Sequence, residues 1–210
     1  MLLYDMAKAP NPRRVRWFLA EKGVSLPMVQ VDIMAGENLA PAFLAVNPRG
    51  VVPTLLLDDG GILDESVAIC RYLEGLHPEP NLLGRDALEM ARIESWQRRM
   101  EFEGMFNVAA AFRNTQPAYA ERGMPGRIPP TPAIPALAER GLMLAAHWLA
   151  ELDARLRDVP FVAGERFSIA DITAAISVDF AKWVGLRPAP EQEALLRWQA
   201  EVKARPGARA

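Results

Sequence analysis

The sequence predicts an α/β domain built on a mixed four-stranded sheet, followed by an all-helical domain. Two observations support this division. The first 76 residues alternate short apolar runs with amphipathic stretches, in the order β-α-β, crossover, β-β-α, and no convincing strand pattern follows residue 84. A segment rich in proline and glycine separates the two halves. We therefore expect one domain over residues 1–77 and a second over residues 85–210.

The first elements form a β-α-β unit. Residues 2–6 are an apolar run, which predicts a short buried strand. In the helix that follows, Asn11 is a suitable N-cap, Pro12 occupies the favoured first position, and Gly23 ends the helix. Residues 28–33 alternate apolar and polar side chains, and this pattern is typical of a strand.

The next elements predict a hairpin and a helix. Residues 39–45 are helical in character. Apolar runs at 51–57 and 61–63 flank Asp58-Asp59-Gly60, whose Asp-Gly is a hairpin signal, so the two strands should be antiparallel. Asp64 is placed to cap a helix that continues to residue 76.

The second half consists of helices interrupted by a proline-rich connection. Residues 85–114 are helical in character, and six prolines between residues 117 and 135 exclude one continuous helix there. A second long helix follows. At the next helix Ser168 is the expected N-cap, and Asp171 stands at the third position, where a capping box has its carboxyl. A last helix covers residues 195–202.

Composition excludes several classes of protein. Half of the residues are hydrophobic and the net charge is −2, so the chain is globular and lacks the basic surplus that nucleic acid binding requires. A single cysteine excludes an intrachain disulfide, and two histidines give little support for a metal site. No apolar run approaches the ~18 residues of a membrane span, and Asp5 interrupts the position of a signal peptide's apolar run. We expect a cytoplasmic protein without metal, membrane or nucleic acid partners.

Candidate functional residues lie in three segments, 9–15, 47–55 and 63–69. Pro53 interrupts an apolar strand run, so it must lie at a sheet edge or adopt a special backbone conformation such as a cis bond. An edge strand can pair with an extended peptide. Glu65-Ser66 lies at a helix start, where free amides and the helix dipole favour a carboxylate. Together these features predict a site for a short anionic peptide.

This combination of segments resembles the glutathione transferase family over the whole chain. The family's Val-Pro matches Val52-Pro53, its acid-Ser pair matches Glu65-Ser66, and its second-domain capping motif matches residues 168–171. The resemblance implies a thioredoxin-like domain followed by an all-α helical bundle. It also implies glutathione as co-substrate and a homodimer.

The resemblance implies a role for each matched residue. The backbone of Val52, before Pro53, would pair with the cysteinyl unit of glutathione. Glu65 and Ser66 would hold the γ-glutamyl amine and carboxylate, and Asn38 is counted with these glutathione-binding residues.

The stretch that activates the thiol departs from the family's common pattern. Many members have Ser, Cys or Tyr there, but this chain has Ala9. Cys70 lies in a later helix among core positions, so the cysteine-dependent classes match poorly. At this place the chain resembles bacterial relatives with Ser-Pro-Asn or Thr-Pro-Asn, and Asn11 matches their Asn. Asn11 is therefore the candidate catalytic residue, with helix capping as its alternative role. Lys8 or a backbone amide at the helix start could stabilise the thiolate instead.

The pocket for the electrophile is expected on the first long helix of the second half. Its candidate residues share one helix face: Met105, Phe106, Phe112 and Arg113. The same spacing is also typical of a core. Three arginines of the first helix could attract anionic glutathione, although a solvated helix face accounts for most of them: Arg13, Arg14 and Arg16.

The resulting hypothesis is a glutathione transferase that adds the glutathione thiolate to a small apolar electrophile. Two alternatives stay open. One is glutathione-dependent reduction of disulfides or peroxides, in which two glutathione molecules perform the thiol chemistry. The other is a binding or regulatory protein that retains the fold without turnover, which Ala9 permits, as does Val51 where relatives often have Lys or Gln.

Overall fold

The N-terminal half forms a mixed sheet, described by a computed structural model that covers residues 1–210. The four strands lie in the spatial order β2-β1-β3-β4. Their bounds are β1 Leu2–Asp5, β2 Met28–Gln30, β3 Thr54–Leu56 and β4 Ile62–Asp64. β2 is parallel to β1, whereas β3 is antiparallel to both β1 and β4. The predicted mixed four-stranded sheet is confirmed.

Three helices accompany this sheet. They are α1 Pro10–Glu21, the short α2 Pro41–Leu44 and α3 Ser66–Leu76. The inner faces of α1 and α3 contribute Phe18 and Leu73 to the core beside Leu55 of the central strand β3, and all three side chains are fully buried. The apolar stripes of these helices therefore cover the sheet as their periodicity predicts.

The N-cap of α1 is Ala9, so the prediction that Asn11 caps this helix is wrong. The helix begins at Pro10, and its N-cap receives no side-chain hydrogen bond. Pro10 and Pro12 both lie in the first turn, where the missing N–H of proline breaks no hydrogen bond. Asn11 consequently lies inside the first turn, with its side chain exposed.

Two predicted strand features also need correction. β2 ends at Gln30 rather than at residue 33, because its partner β1 ends at Asp5. Pro53 precedes β3, which lies between β1 and β4, so it is not in an edge strand. The peptide bond between Val52 and Pro53 is cis, which is the second of the two alternatives that the sequence left open.

The second half is entirely helical. One long helical segment contains α4 Ala87–Arg99, a π turn at Met100–Met105 and α5 Phe106–Arg113. A proline-rich connection leads to three further helices: α6 Pro135–Asp158, α7 Ile169–Ala181 and α8 Glu193–Lys203. A single 3-10 turn at Pro117–Tyr119 interrupts the connection, in agreement with its proline content.

A continuous hydrophobic core joins the two halves. It extends from Leu3 in β1 to Val202 in α8, and the central helix α7 is buried at every position except Asp179. The C-terminus packs back on the first domain, where Gly207 lies so close to Trp17 that a Cβ would not fit. An ion pair of 2.8 Å between Arg205 and Glu21 holds this contact. None of the helices is long and apolar enough to cross a bilayer.

The predicted capping box at the start of α7 is confirmed. One carboxylate oxygen of Asp171 accepts hydrogen bonds from the backbone N–H and the hydroxyl of Ser168, at 3.0 and 3.1 Å. The other accepts from the Val162 N–H at 2.8 Å and from Trp198 Nε1 at 2.9 Å. A single buried carboxylate therefore ties the start of α7 to the preceding loop and to α8.

We expect Asp171→Asn to lower the free energy of unfolding by about 2–4 kcal/mol, because the amide NH2 group would face hydrogen-bond donors that then lose their acceptor. Urea denaturation followed by circular dichroism measures the change. Asp158→Asn is the matched control at an exposed helix end and should change stability by less than about 0.5 kcal/mol. Equal effects of the two substitutions would contradict the structural role of Asp171.

Candidate functional site

Two adjoining cavities lie between the first domain and the helical segment α4–α5, and the first turn of α1 borders both. The first, here the polar cavity, has a volume of about 520 Å³ and includes Arg14, Glu65, Ser66 and Glu101 among its lining residues. The second, here the apolar cavity, has a volume of about 240 Å³ and includes Val52, Phe112, Tyr119, Phe180 and Trp183. Four residues border both cavities: Asn11, Met105, Ala109 and Arg113.

The start of α3 offers free backbone donors to the polar cavity. The N-cap is Glu65, not the predicted Asp64, which is the last residue of β4. Glu65 has a positive φ of 69°, the only such value outside glycine. The first amide of α3 that donates a backbone hydrogen bond is that of Ile69, which donates to the Glu65 carbonyl. The amides of residues 66–68 therefore stay free.

Arg49 holds this unusual turn in place. Its guanidinium lies 2.8 Å from a carboxylate oxygen of Asp64 and 3.0 Å from one of Glu65. Hydrogen bonds to Glu65 and Asp64 raise the pKa of Arg49 above its ordinary value. A strained backbone conformation of this kind persists only where neighbours hold it, and such residues cluster at functional sites.

Ser66 is oriented by a buried arginine. Nη1 of Arg14 donates to Ser66 Oγ at 2.6 Å and pairs with Glu101 Oε1 at 3.0 Å. Burial lowers the pKa of Arg14, and the nearby charge of Glu101 opposes this shift. Because Arg14 occupies one lone pair of the Ser66 oxygen, the hydroxyl hydrogen remains available to donate. Ser66 is thereby prepared to bind an anion.

This role of Arg14 was not predicted from the sequence, and the expectation of a solvated face is wrong for it. Arg14 is only 1% exposed. A signal was present, since Trp17 and Phe18 follow at i+3 and i+4 and place Arg14 on the buried face of α1. Arg13 and Arg16 are half-buried and pair with carboxylates.

The π turn brings two further groups to Arg14. Glu101 and Met105 both lie in this turn, and Met105 Sδ accepts a 3.4 Å contact from Arg14 Nη2. A π turn adds a residue to the helical circuit and is frequent at functional sites. The helical domain thus completes a site whose other members lie in the first domain.

Val52 presents an unused backbone to the cavities. Neither its N–H nor its C=O takes part in a hydrogen bond, and the residue lines the apolar cavity. Asn47 supports this loop, because its amide donates to Thr54 Oγ1 at 2.8 Å and its carbonyl accepts from the Arg49 N–H at 3.0 Å. An extended peptide can therefore pair with Val52.

Asn38 lies outside both cavities and is fully buried. Its amide donates to the Gly50 carbonyl at 2.8 Å and to the Pro125 carbonyl at 2.6 Å. The side chain connects the loop before β3 to the proline-rich connection. The structure does not bring Asn38 to the position expected of a glutathione contact.

Asn11 is at the junction of the two cavities. Its side chain is exposed and forms no hydrogen bond within the protein, and its backbone N–H belongs to the free first turn of α1. Ala9, the N-cap two residues earlier, provides no polar side chain. Asn11 is thus one of two side-chain donors that border both cavities, and Arg113 is the other.

The four residues expected to bind the electrophile divide between the cavities. Phe112 lines the apolar cavity, whereas Phe106 borders the polar cavity and is 63% exposed. Met105 and Arg113 border both. Sequence periodicity could not separate these positions, because the π turn shifts the register of the helix faces.

Cys70 is fully buried, as predicted. Burial raises the pKa of its thiol to about 12, so the thiolate that redox or transfer chemistry requires does not form at neutral pH. A reactive thiol at this site must come from a ligand.

Comparison with known families agrees with the resemblance to glutathione transferases. The N-terminal domain model of glutathione S-transferases matches residues 3–81, and the C-terminal domain model matches residues 131–206. Glutathione S-transferase 2 of Saccharomyces cerevisiae is 36% identical over 98% of this chain and 87% of its own length. FtsZ-localized protein A of Caulobacter vibrioides is 29% identical over 97% of this chain and 87% of its own length.

A solved structure agrees over the full length. The crystal structure of a glutathione S-transferase domain-containing protein from Marinobacter aquaeolei VT8 superposes with a TM-score of 0.90 at 36% identity. The match covers 99% of each chain. With the two-cavity site and the matched domains, this likeness shows that the chain belongs to the glutathione S-transferase family.

Proposed function

We propose that this protein is a glutathione transferase that joins the thiolate of glutathione to a small apolar electrophile. The observation that carries the proposal is the junction of the polar and apolar cavities at Asn11. An anionic peptide bound at the start of α3 can present its thiol at this junction to a molecule in the apolar cavity.

Glutathione would bind along the turn before α3. Its γ-glutamyl carboxylate would accept from the Ser66 hydroxyl and from the free amides of the first turn, where the helix dipole favours negative charge. Its ammonium group would lie against the Glu65 carboxylate. The free N–H and C=O of Val52 would bond the cysteinyl unit, as an added strand does.

The cysteinyl sulfur would then lie beside the first turn of α1. The amide of Asn11 and its free backbone N–H would donate to the sulfur and stabilise the thiolate. In the reaction the thiol proton passes to water and the sulfur bonds to the electrophilic carbon. The leaving group departs with its bonding pair, so atoms and charge balance.

A hydroxyl at the position of Ala9 is not essential for this chemistry. Lowering a thiol pKa from ~8.5 by about two units raises the thiolate fraction at pH 7 about 25-fold. The same shift lowers nucleophilicity about eightfold, which leaves a net gain of only about threefold. Holding thiolate and electrophile in contact contributes several kcal/mol. Positioning therefore contributes more than thiol activation does.

Titration calorimetry with reduced and with oxidised glutathione tests the proposal, together with aryl halide conjugation by the same preparation. We expect binding of the reduced form and conjugation. Preference for the oxidised form, with reduction of a small disulfide, would instead support a reductase. Binding without turnover on any electrophile would support a binding protein, and absence of binding would contradict all three functions.

We expect two substitutions to separate rate from affinity. Ser66→Ala should weaken binding of reduced glutathione about tenfold, because it removes one hydrogen bond to a charged group. Asn11→Ala should lower kcat about tenfold or more, because it removes a donor to the anionic sulfur. Calorimetry and steady-state kinetics measure both effects, and the exposed Ser95→Ala is the matched control.

Two results would contradict these roles. An unchanged kcat in Asn11→Ala would remove Asn11 from the mechanism. An unchanged glutathione affinity in Ser66→Ala would remove the start of α3 from the binding site.

We also propose a homodimer in a reducing, cytoplasmic compartment. Large apolar side chains on α3 and α4 support an interface, since Tyr72, Leu76, Leu88 and Met90 are 37–60% exposed. Static light scattering should give twice the chain mass of 23.2 kDa. A mass of 23.2 kDa at micromolar concentration would contradict the dimer.

A further inference from the structure

One arginine at the site lacks an anionic partner. The arginines of α1 each pair with a carboxylate: Arg13 with Asp179, Arg14 with Glu101 and Arg16 with Asp5. Arg113, at the end of α5, forms no ion pair within the protein. Its side-chain hydrogen bond is a 3.0 Å contact from Nη1 to Met124 Sδ, and a thioether is a weak acceptor.

The guanidinium of Arg113 is partly withdrawn from water and borders both cavities. Burial lowers the pKa of Arg113 below its ordinary value, the direction expected for a cation that loses water without gaining an anion. The group stays protonated at neutral pH, because a guanidinium does not lose its proton in proteins. A bound anion would offset this desolvation.

The apolar cavity has a positive charge and no negative one. None of its lining residues is aspartate or glutamate, and its charged side chains are Lys8 and Arg113. The walls are otherwise largely apolar and aromatic, and Phe112 packs edge to face against Tyr119 and Phe180 at centroid distances of 5.8 and 5.3 Å. The polar cavity, in contrast, contains both acidic and basic side chains.

We propose that the electrophile carries a carboxylate that pairs with Arg113, while its apolar body fills the apolar cavity. The inference rests on the proposed transferase function and refines its electrophile from an apolar molecule to an apolar body that carries one carboxylate. Arg113 and Asn11 both border the cavity junction, so an anchored substrate lies beside the position proposed for the thiolate. A neutral molecule of the same shape leaves the guanidinium unpaired and is the poorer ligand.

The chemical step is unaffected by this anchor. With an α,β-unsaturated ketone as the electrophile, the sulfur bonds to the terminal alkene carbon. The alkene π pair forms the carbon–carbon double bond of an enolate, and the carbonyl π pair moves to the oxygen. The thiol proton leaves to water, and a proton from water completes the addition. No oxidant or reductant is required.

A matched pair of ligands tests the proposal by binding alone. Ethacrynate and its methyl ester differ in the carboxylate charge, and their saturated analogues cannot react with a thiol. Calorimetry of the two saturated analogues without glutathione should show the acid bound about tenfold or more tightly than the ester by the wild-type protein, as expected for one hydrogen-bonded charge pair. In Arg113→Gln the preference should fall to about twofold or less.

Two further variants exclude trivial explanations. Arg113→Lys retains the charge and should restore part of the preference for the acid. Arg127→Gln removes an exposed positive charge outside both cavities and should keep the full preference. Thermal unfolding of each variant verifies folding. If Arg113→Gln does not fold, the ratio of the wild-type affinities for acid and ester tests the proposal.

Three results would overturn the proposal. The first is equal wild-type affinity for acid and ester. The second is an unchanged preference in Arg113→Gln. The third is a loss of reduced glutathione affinity in Arg113→Gln as large as the loss for the acid, which would assign Arg113 to glutathione itself. Preference for the acid without any conjugation would support an anion-binding site at Arg113 and contradict the transferase function, so the two failures are distinguishable.

Discussion

The site depends on the buried charge of Arg14. Its guanidinium lies in the core and is compensated by Ser66 Oγ at 2.6 Å and by Glu101 at 3.0 Å. Removing one partner of a buried ion pair costs several kcal/mol, because the remaining charge has no water. Three elements must therefore meet at one point: α1, the first turn of α3 and the π turn. This requirement positions the first domain against the helical domain and orients Ser66.

Packing far from the cavities maintains that meeting point. α7 is buried between the two halves, and the Asp171 carboxylate joins its start to α8. The C-terminal turn closes on α1 through Gly207 and Trp17. The domains share one core, so the polar and apolar cavities are formed together rather than by separate bodies that dock.

The two cavities differ in how their chemistry is built. The polar cavity relies on backbone features, a positive φ at Glu65 and free amides, which any bound carboxylate can use. The apolar cavity relies on side chains of the helical domain, with Arg113 as a cation that no protein carboxylate neutralises. The first arrangement suits one constant anionic peptide, whereas under the proposed function the second would determine which electrophile is accepted.

The sequence by itself determined the element order, the mixed sheet and the capping box of α7, because these depend on periodicity and on residues within four positions of one another. It also indicated the special backbone at Pro53. It predicted the N-cap of α1 wrongly as Asn11 instead of Ala9, since Pro10 and Pro12 both suit a first turn.

Only the tertiary structure decided which polar side chains are buried. The partners of Arg14 lie 52 and 87 positions away, and Asn38 is bound by a carbonyl 87 positions away. No local pattern encodes such contacts. A charged side chain on a helix face, such as Arg14, is buried only when distant elements pack over it. For the same reason, the cavity junction at Asn11 and Arg113 could be located only in the tertiary structure.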